Sequence, residues 1–167
     1  PVINLESARN NQNQTSFLYA KDSDGKQIEV LRLHGEENRI WVDFDKIPKQ
    51  MKDAFIALED KRFDSHHGVD WIRTIGVFIK QNDQGGSTIT QQLVKNITGN
   101  NQVTYVRKYN EILSALNLEK NFNKDQILEA YLNTIYLGQG CYGVETAAET
   151  YFGKSVDELN VAECAVI

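Results

Sequence analysis

The sequence "PKQMKDAFIALEDKRFDSHHGVD", residues 48–70, marks the point where an extended pattern changes to a helical one. Pro48 suits the first turn of a helix. Apolar residues then follow at helical spacing, at Met51, Ala54, Phe55 and Leu58. The same kind of periodicity predicts further helices over 71–81, 88–97, 105–121, 125–137, 143–152 and from 161 onward. The chain is therefore predicted to be mainly α.

The segment before these helices has a different character. "FLYAKDSDGKQIEVLRL" predicts two strands around a turn at Asp24 and Gly25, and "RIWVDF", residues 39–44, predicts a third strand. Residues 1–16 are polar and are expected to form a flexible N-terminal segment. Residues 17–167 then form one helical domain with a small N-terminal β appendage, a size ordinary for a single domain. The last residues, "VAECAVI", stop inside an apolar helical pattern, so we expect a domain truncated at its C-terminus.

The charge distribution points to a local anion site. The net charge of -5 argues against a nucleic-acid partner. Between Gln84 and Asn110 the chain has no Asp or Glu, whereas Lys95, Arg107 and Lys108 bring positive charge. The histidines and the two cysteines show no metal-ligand spacing, so no metal site is predicted, and the pairing of the cysteines stays open. Neither a signal peptide nor an apolar run of transmembrane length is present, which fits a soluble protein or a chain without its anchor.

The pair Glu59 and Asp60 closes the first predicted helix. Glu59 lies four residues from both Phe55 and Phe63, so aromatic rings flank its side chain. A carboxylate partly shielded from water in this way is a better general base near neutral pH. The spacing alone nevertheless favours an ordinary solvated helix end, because most glutamates are exposed.

The segment "GGSTITQQLVKN", residues 85–96, combines glycines with a helix start. Thr88 and Gln91 fit a capping box, and a helix N-terminus offers N–H groups to an anion. The buried stripe is predicted at Ile89, Leu93 and Ile97, which leaves Gln92 and Lys95 facing elsewhere. A plain capped loop explains the glycines and threonines equally well, but it does not explain the absence of acids. The sequence therefore supports an anion site at the helix N-terminus and a plain capped loop equally well.

The segment "RKYNEILSALNLEKNF", residues 107–122, places Arg107 and Lys108 on the same helical face as Glu111. Surface ion pairs at this spacing contribute only ~0.3–0.5 kcal/mol each, and they are the ordinary explanation. The functional alternative is a carboxylate held between cations beside an anionic substrate.

Five segments in order resemble the motifs of the peptidoglycan glycosyltransferases, glycosyltransferase family 51. They are "EDKRFDSHHG", "GGSTITQQLVKN", "RKYNEILSALNLE", "KDQILEAYLNTIYLG" and "GVETAAETYFGK". The family occurs in class A penicillin-binding proteins and monofunctional transglycosylases, and the match runs from about Arg39 to the C-terminus. Five ordered motifs in so short a chain outweigh the ordinary explanations of Glu59 and Glu111.

The resemblance implies a lysozyme-like, two-lobed helical domain. It implies polymerisation of lipid II into β-1,4-linked glycan, with inverting displacement of undecaprenyl pyrophosphate from the growing chain. The expected partners are lipid II, the lipid-linked glycan chain, the membrane surface and cell-wall synthesis proteins, with moenomycin as inhibitor. The expected location is the extracytoplasmic face of the bacterial membrane. No cofactor is required, although a divalent cation, Mg²⁺ or Mn²⁺, could assist at the pyrophosphate.

The resemblance also implies roles for individual residues. Glu59 matches the catalytic glutamate. Glu111, the second expected catalytic residue, matches the glutamate of the third motif and is expected to order the cations or bind sugar. The positions matching substrate-binding residues are Asp60, Ser87, Thr88, Gln92, Lys95, Arg107 and Lys108. The segment between Gly68 and Gly85 is shorter than expected for the family. Two alternatives remain, a lysozyme-like peptidoglycan hydrolase and a non-catalytic module that binds lipid II or cell-wall partners.

Overall fold

The computed structural model describes residues 16–21, 27–33, 38–80, 86–99 and 104–167, together with Leu5. Its ranges from residue 38 onward contain seven α-helices. These are α1 Lys49–Glu59, α2 Trp71–Lys80, α3 Ile89–Thr98, α4 Tyr105–Asn121, α5 Lys124–Thr134, α6 Val144–Phe152 and α7 Val161–Val166. Single 3-10 turns lie at Phe44–Lys46, Phe63–Ser65 and Val156–Glu158. The predicted mainly α fold is confirmed.

Two short sheets accompany the helices. β1, Ser16–Lys21, pairs antiparallel with β2, Gln27–Leu33, which confirms the first two predicted strands. The turn predicted at residues 24–25 lies outside the described residues, as does the predicted flexible segment apart from Leu5 and Ser16. β3, Asn38–Arg39, pairs parallel with β4, Cys141–Tyr142.

The strand predicted over 39–44 is wrong beyond its first residue. The backbone is extended there, but alternate N–H groups donate to helix side chains rather than to a neighbouring strand. The pairs are Ile40 with Thr146 Oγ1 at 2.9 Å, Val42 with Asn133 Oδ1 at 2.8 Å, and Phe44 with Glu129 Oε2 at 3.2 Å. Side chains of α5 and α6 therefore take the place of a partner strand.

Helix α3 is central, because it packs against both α4 and α5. Ile89 and Leu93 are fully buried and Ile97 packs against the same core, which confirms the predicted buried stripe. The Thr88 side chain accepts from the Gln91 N–H, and the Gln91 side chain accepts from the Thr88 N–H, so the predicted capping box is present. This start fixes which residues of α3 face away from the core.

Other helix ends follow the sequence closely. The sequence pairs Asn123 with Gln126, and Ser155 with Glu158, at the spacing that predicts capping boxes, and both boxes are present, on α5 and on the last 3-10 turn. Gly153 ends α6 with φ +65°, as predicted. The end of α5 was placed too late, since the helix stops at Thr134 rather than near Gly138. After Thr134 the backbone pairs with residues 141–143. The Leu137 N–H donates to the Cys141 carbonyl, and the Gly143 N–H donates to the Ile135 carbonyl.

Trp71, Ile75, Phe78 and Ile79 recur at helical spacing, which predicts a stripe facing the core, but α2 does not bury the start of that stripe. Trp71 is 52 % exposed, and the neighbouring Ile72 is 73 % exposed. The remaining residues of the predicted stripe, Ile75, Phe78 and Ile79, have side chains outside the described set. Among the described residues, none of the helices combines the length and hydropathy needed to cross a bilayer.

Candidate active site

Glu59 is the last residue of α1, and its side chain lines a pocket of about 260 Å³. Gln92 of α3 donates from Nε2 to Glu59 Oε2 at 2.8 Å, and the Arg73 guanidinium donates to the Glu59 carbonyl oxygen. The pocket is lined by Glu59, Ser87, Gln91, Gln92, Lys95, Asn96 and Glu111. The structure therefore brings four of the predicted residues beside Glu59: Ser87, Gln92, Lys95 and Glu111.

A second pocket of about 180 Å³ adjoins the first, because Lys95 and Glu111 line both. Arg107 lines this second pocket, and its buried Nε has no hydrogen-bond partner within the described part of the chain. Lys95 is exposed and forms no ion pair with the other described residues. Its ammonium group is therefore available to an anion entering either pocket.

Glu111 is buried between two cations. Its Oε2 accepts from Arg107 Nη1 at 2.5 Å, its Oε1 accepts from Lys108 Nζ, and only 5 % of its side chain is exposed. Lys108 Nζ also donates to Ser87 Oγ at 2.8 Å. The ion pairs that the spacing predicts, from Arg107 and from Lys108 to Glu111, are therefore both present, but they lie within the site rather than on an open surface. Because both carboxylate oxygens already accept from cations, Glu111 serves to hold Arg107 and Lys108 in place.

Asp60 is completely buried, and its contacts are structural. Its Oδ2 accepts from the Ile89 N–H at 3.0 Å and lies 2.8 Å from His66 Nε2. The Gly68 N–H donates to His66 Nδ1 at 3.2 Å, so Nδ1 is an acceptor and the ring proton lies on Nε2, facing Asp60. The loop after α1 is thereby joined to the start of α3.

Of the two interpretations of this segment, the arrangement favours the plain capped loop over an open anion site at the α3 N-terminus. The Ile89 N–H is bonded to the carboxylate of Asp60, and the Gln91 N–H is bonded to Thr88 Oγ1. Thr88 is itself buried and donates from Oγ1 to the Gly68 carbonyl at 2.7 Å. The anion at this helix end is the chain's own carboxylate. Neither Asp60 nor Thr88 lines the two pockets, so any part they take in substrate binding is indirect.

The described carboxylates do not fit a resident metal ion. Within the described ranges, no group of three or more His, Cys, Asp or Glu side chains is placed to hold one. Glu111 has cations on both oxygens, and Glu59 accepts from an amide. Cys141 and Cys164 are both free, buried thiols. A divalent cation at the pyrophosphate stays a prediction.

Three residues beside Glu59 were not singled out from the sequence. Arg73 bonds the carbonyl of Glu59, His66 bonds Asp60, and Tyr131 donates to Gln92 Oε1 at 3.2 Å. Burial and then the charges of Glu59 and Asp60 raise the pKa of Tyr131 well above its ordinary value. Helical periodicity marks Tyr131 only as a core residue. His66 and Tyr131 both lie within the quoted motifs, and that was the one signal available.

Comparison with known proteins identifies the family of the chain. The model of the transglycosylase family matches residues 24–167, and the chain belongs to that family, which confirms the resemblance carried by the five motifs. The chain is 44% identical over 152 residues to penicillin-binding protein 1F of Bacillus subtilis, covering 87% of this chain and 21% of the relative. It is 47% identical over 144 residues to penicillin-binding protein 1A of Escherichia coli, covering 83% and 17%. The chain spans about a fifth of the length of these relatives.

Proposed function

We propose that this chain is a peptidoglycan glycosyltransferase domain that polymerises lipid II into β-1,4-linked glycan strands. The observation that carries the proposal is the shared pocket, in which the carboxylate of Glu59 and the ammonium of Lys95 line one hollow. A proton acceptor and a cation that line one pocket suit a reaction in which a hydroxyl attacks and a diphosphate leaves. Membership of the transglycosylase family supports the same reaction class.

Glu59 is the general base of the proposed mechanism. It takes the proton from the 4-hydroxyl of an incoming lipid II while that oxygen attacks C1 of the growing chain's terminal sugar. The bond from C1 to the pyrophosphate breaks with inversion, which gives the β-1,4 linkage. Gln92 engages Oε2, so Oε1 is the oxygen left to receive the proton. General base catalysis of this kind contributes ~10²–10⁴-fold in rate.

The cations stabilise the departing pyrophosphate. Lys95 is unpaired among the described residues, and Arg107 and Lys108 are fixed on Glu111, so the group carries a net positive charge. Cations held in position before the reaction lower the barrier because they need no reorganisation as charge develops. Ser87 orients Lys108 in this scheme, through the bond between its Oγ and Lys108 Nζ.

The proposal extends to partners and location. The lipid-linked substrates place the reaction at the membrane surface, on the extracytoplasmic side, where cell-wall synthesis proteins are also found. Moenomycin, a phosphoglycolipid, is expected to compete for the cationic pocket. A divalent cation, where it takes part, would accompany the pyrophosphate of the substrate.

The deciding experiment replaces Glu59 by Gln, which keeps size and removes the base. We expect polymer formation from lipid II to fall at least 100-fold while the unfolding midpoint in urea stays close to wild type. Glu158→Gln is the matched control, since glutamine can still accept from the Ser155 N–H in the capping box. Normal polymerisation by Glu59→Gln would remove Glu59 from the role of base.

The same assay addresses the two alternatives. A two-carboxylate hydrolase needs a second available carboxyl group, and Glu111 is engaged by Arg107 and Lys108, which disfavours hydrolysis. Release of soluble fragments from finished peptidoglycan would nevertheless support it. Binding of lipid II without turnover by the wild-type chain would support a non-catalytic module.

A further inference from the structure

A chain of two hydrogen bonds runs from the core to the proposed base. The Tyr131 phenol donates to Gln92 Oε1 at 3.2 Å, and Gln92 Nε2 donates to Glu59 Oε2 at 2.8 Å. The three residues come from α5, α3 and α1, so the bonds connect three helices at the pocket. The mechanism above uses Glu59 and Gln92 but assigns nothing to Tyr131.

The carboxylate of Glu59 can only accept, so it requires the Gln92 amide to present Nε2, and the phenol holds the amide in that orientation by donating to Oε1. A flipped amide would set Gln92 Oε1 against Glu59 Oε2, two acceptors facing each other, and would leave the Tyr131 hydrogen without this acceptor. Because its pKa is raised by burial and by the charges of Glu59 and Asp60, Tyr131 remains a protonated donor throughout the neutral range. The observed orientation is therefore the one that satisfies all three groups.

Tyr131 is itself held rigidly. Its side chain is fully buried, and its ring meets that of Phe55 edge to face, with centroids 6.0 Å apart. Phe55 lies on α1, one helical turn before Glu59. The phenol thus has a fixed position relative to the helix that carries the base, which a surface side chain would not provide.

We propose that Tyr131 is a positioning residue that acts through Gln92 to hold the Glu59 carboxylate with Oε1 toward the acceptor hydroxyl. This inference rests on the proposed glycosyltransferase function. Without the phenol, the amide rotates and the carboxylate samples unproductive orientations, so kcat falls about 10-fold. The KM for lipid II stays unchanged, because Tyr131 lines neither pocket.

The test is a double-mutant cycle in the full chain with lipid II as substrate. Tyr131→Phe removes the phenol and keeps the ring, and Gln92→Met removes both amide groups at similar length. If Tyr131 acts through Gln92, adding Tyr131→Phe to Gln92→Met lowers kcat no further. Tyr151→Phe is the matched control: Tyr151 donates to the Leu137 carbonyl at 2.6 Å, away from the pocket, and its loss leaves kcat unchanged.

Several outcomes would overturn the inference. The first is a normal kcat in Tyr131→Phe. The second is that Tyr131→Phe lowers kcat by the same factor in the Gln92→Met background as in the wild type. The third is a change in KM with no change in kcat. Gln92→Glu offers a second route that leaves the core intact, since it places an acceptor against Glu59 and should lower kcat at least as far as Gln92→Met. Absence of polymer from the wild type would overturn both the proposed function and this inference, whereas an active wild type with an active Tyr131→Phe overturns this inference alone.

Discussion

Three carboxylates near the pocket have different chemical prospects because their surroundings differ. Asp60 is buried against His66 and the start of α3, and Glu111 accepts from a cation on each oxygen. Glu59 is half-buried in the pocket that it lines together with Glu111, and one of its oxygens accepts from a neutral amide rather than from a cation. Proton transfer requires an oxygen that substrate can reach, so Glu59 is the carboxylate that we propose as the base.

Asp70 carries a testable pH dependence. Burial raises the pKa of Asp70, but the Arg73 N–H and the Arg62 guanidinium lower it by more, so the net value lies below the ordinary 3.8. A depressed carboxyl pKa contributes stability that is complete above 3.8 and is lost as pH falls through the folded-state value. We expect Asp70→Asn to lose about 1–3 kcal/mol of unfolding free energy at neutral pH and to show a flatter acid slope. Urea unfolding at a series of acidic pH values measures both quantities.

The control for Asp70 is Asp64→Asn, an exposed carboxylate in the neighbouring 3-10 turn. It should change neither the stability at neutral pH nor the acid slope. An Asp70→Asn variant that retains the wild-type slope would show that other groups produce the acid sensitivity.

At the level of single residues, the sequence predicted the residues that line the pocket better than the buried residues that hold the surrounding segments in place. The motif that contains Glu59 and the acid-free stretch that contains Lys95 could both be recognised from the sequence alone. The burial of Asp60 and Thr88 was not, because it depends on the loop after α1 closing against α3 some 29 residues later. A motif shows that a residue is required, but only packing shows whether it touches substrate or supports a neighbour.

At the level of elements, Gly68 shows how closely that loop approaches α4. Its φ is +93°, and a Cβ at this position would lie 2.6 Å from the Ala115 carbonyl oxygen. We expect Gly68→Ala to lose about 3 kcal/mol or more of unfolding free energy, because strain and a backbone clash add. Gly153→Ala isolates the strain, since φ is +65° there and a Cβ would meet nothing within 4 Å, so its loss should be about 1 kcal/mol. Chemical denaturation compares them, and equal losses would mean that α4 yields to the added methyl group.

Helix caps were predictable and the extended segment was not, for a physical reason. A capping box such as Asn123 with Gln126 is completed by residues three apart, so its signal is local. In the segment after β3, alternate N–H groups donate to the side chains of Thr146, Asn133 and Glu129, which lie 85 to 106 residues further along the chain. Alternating hydrophobicity predicts an extended backbone, but it does not say whether a strand or a helix will receive the hydrogen bonds.

At the level of the whole molecule, the local charge at the pocket is positive although the net charge of the chain is negative. The net charge is -5, yet three cations, Lys95, Arg107 and Lys108, lie where α3 meets α4, beside the two carboxylates of Glu59 and Glu111. An anionic ligand is therefore attracted locally by a protein that is acidic overall. Such a ligand binds only the folded form, so its affinity appears as added stability.

Moenomycin binding should accordingly raise the unfolding temperature, and Lys95 should carry part of that effect. A ligand at 100 times its Kd stabilises the folded form by about 2.7 kcal/mol. If Lys95→Met weakens binding about 10-fold, the stabilisation falls by about 1.4 kcal/mol and the thermal shift shrinks in proportion. Lys120→Met removes the same charge from an exposed position in the last turn of α4, so it should preserve the full shift. Thermal unfolding with and without moenomycin separates the two. If the moenomycin-induced thermal shift were reduced equally in both variants, overall charge, rather than the cation shared by the two pockets, would attract the phosphoglycolipid.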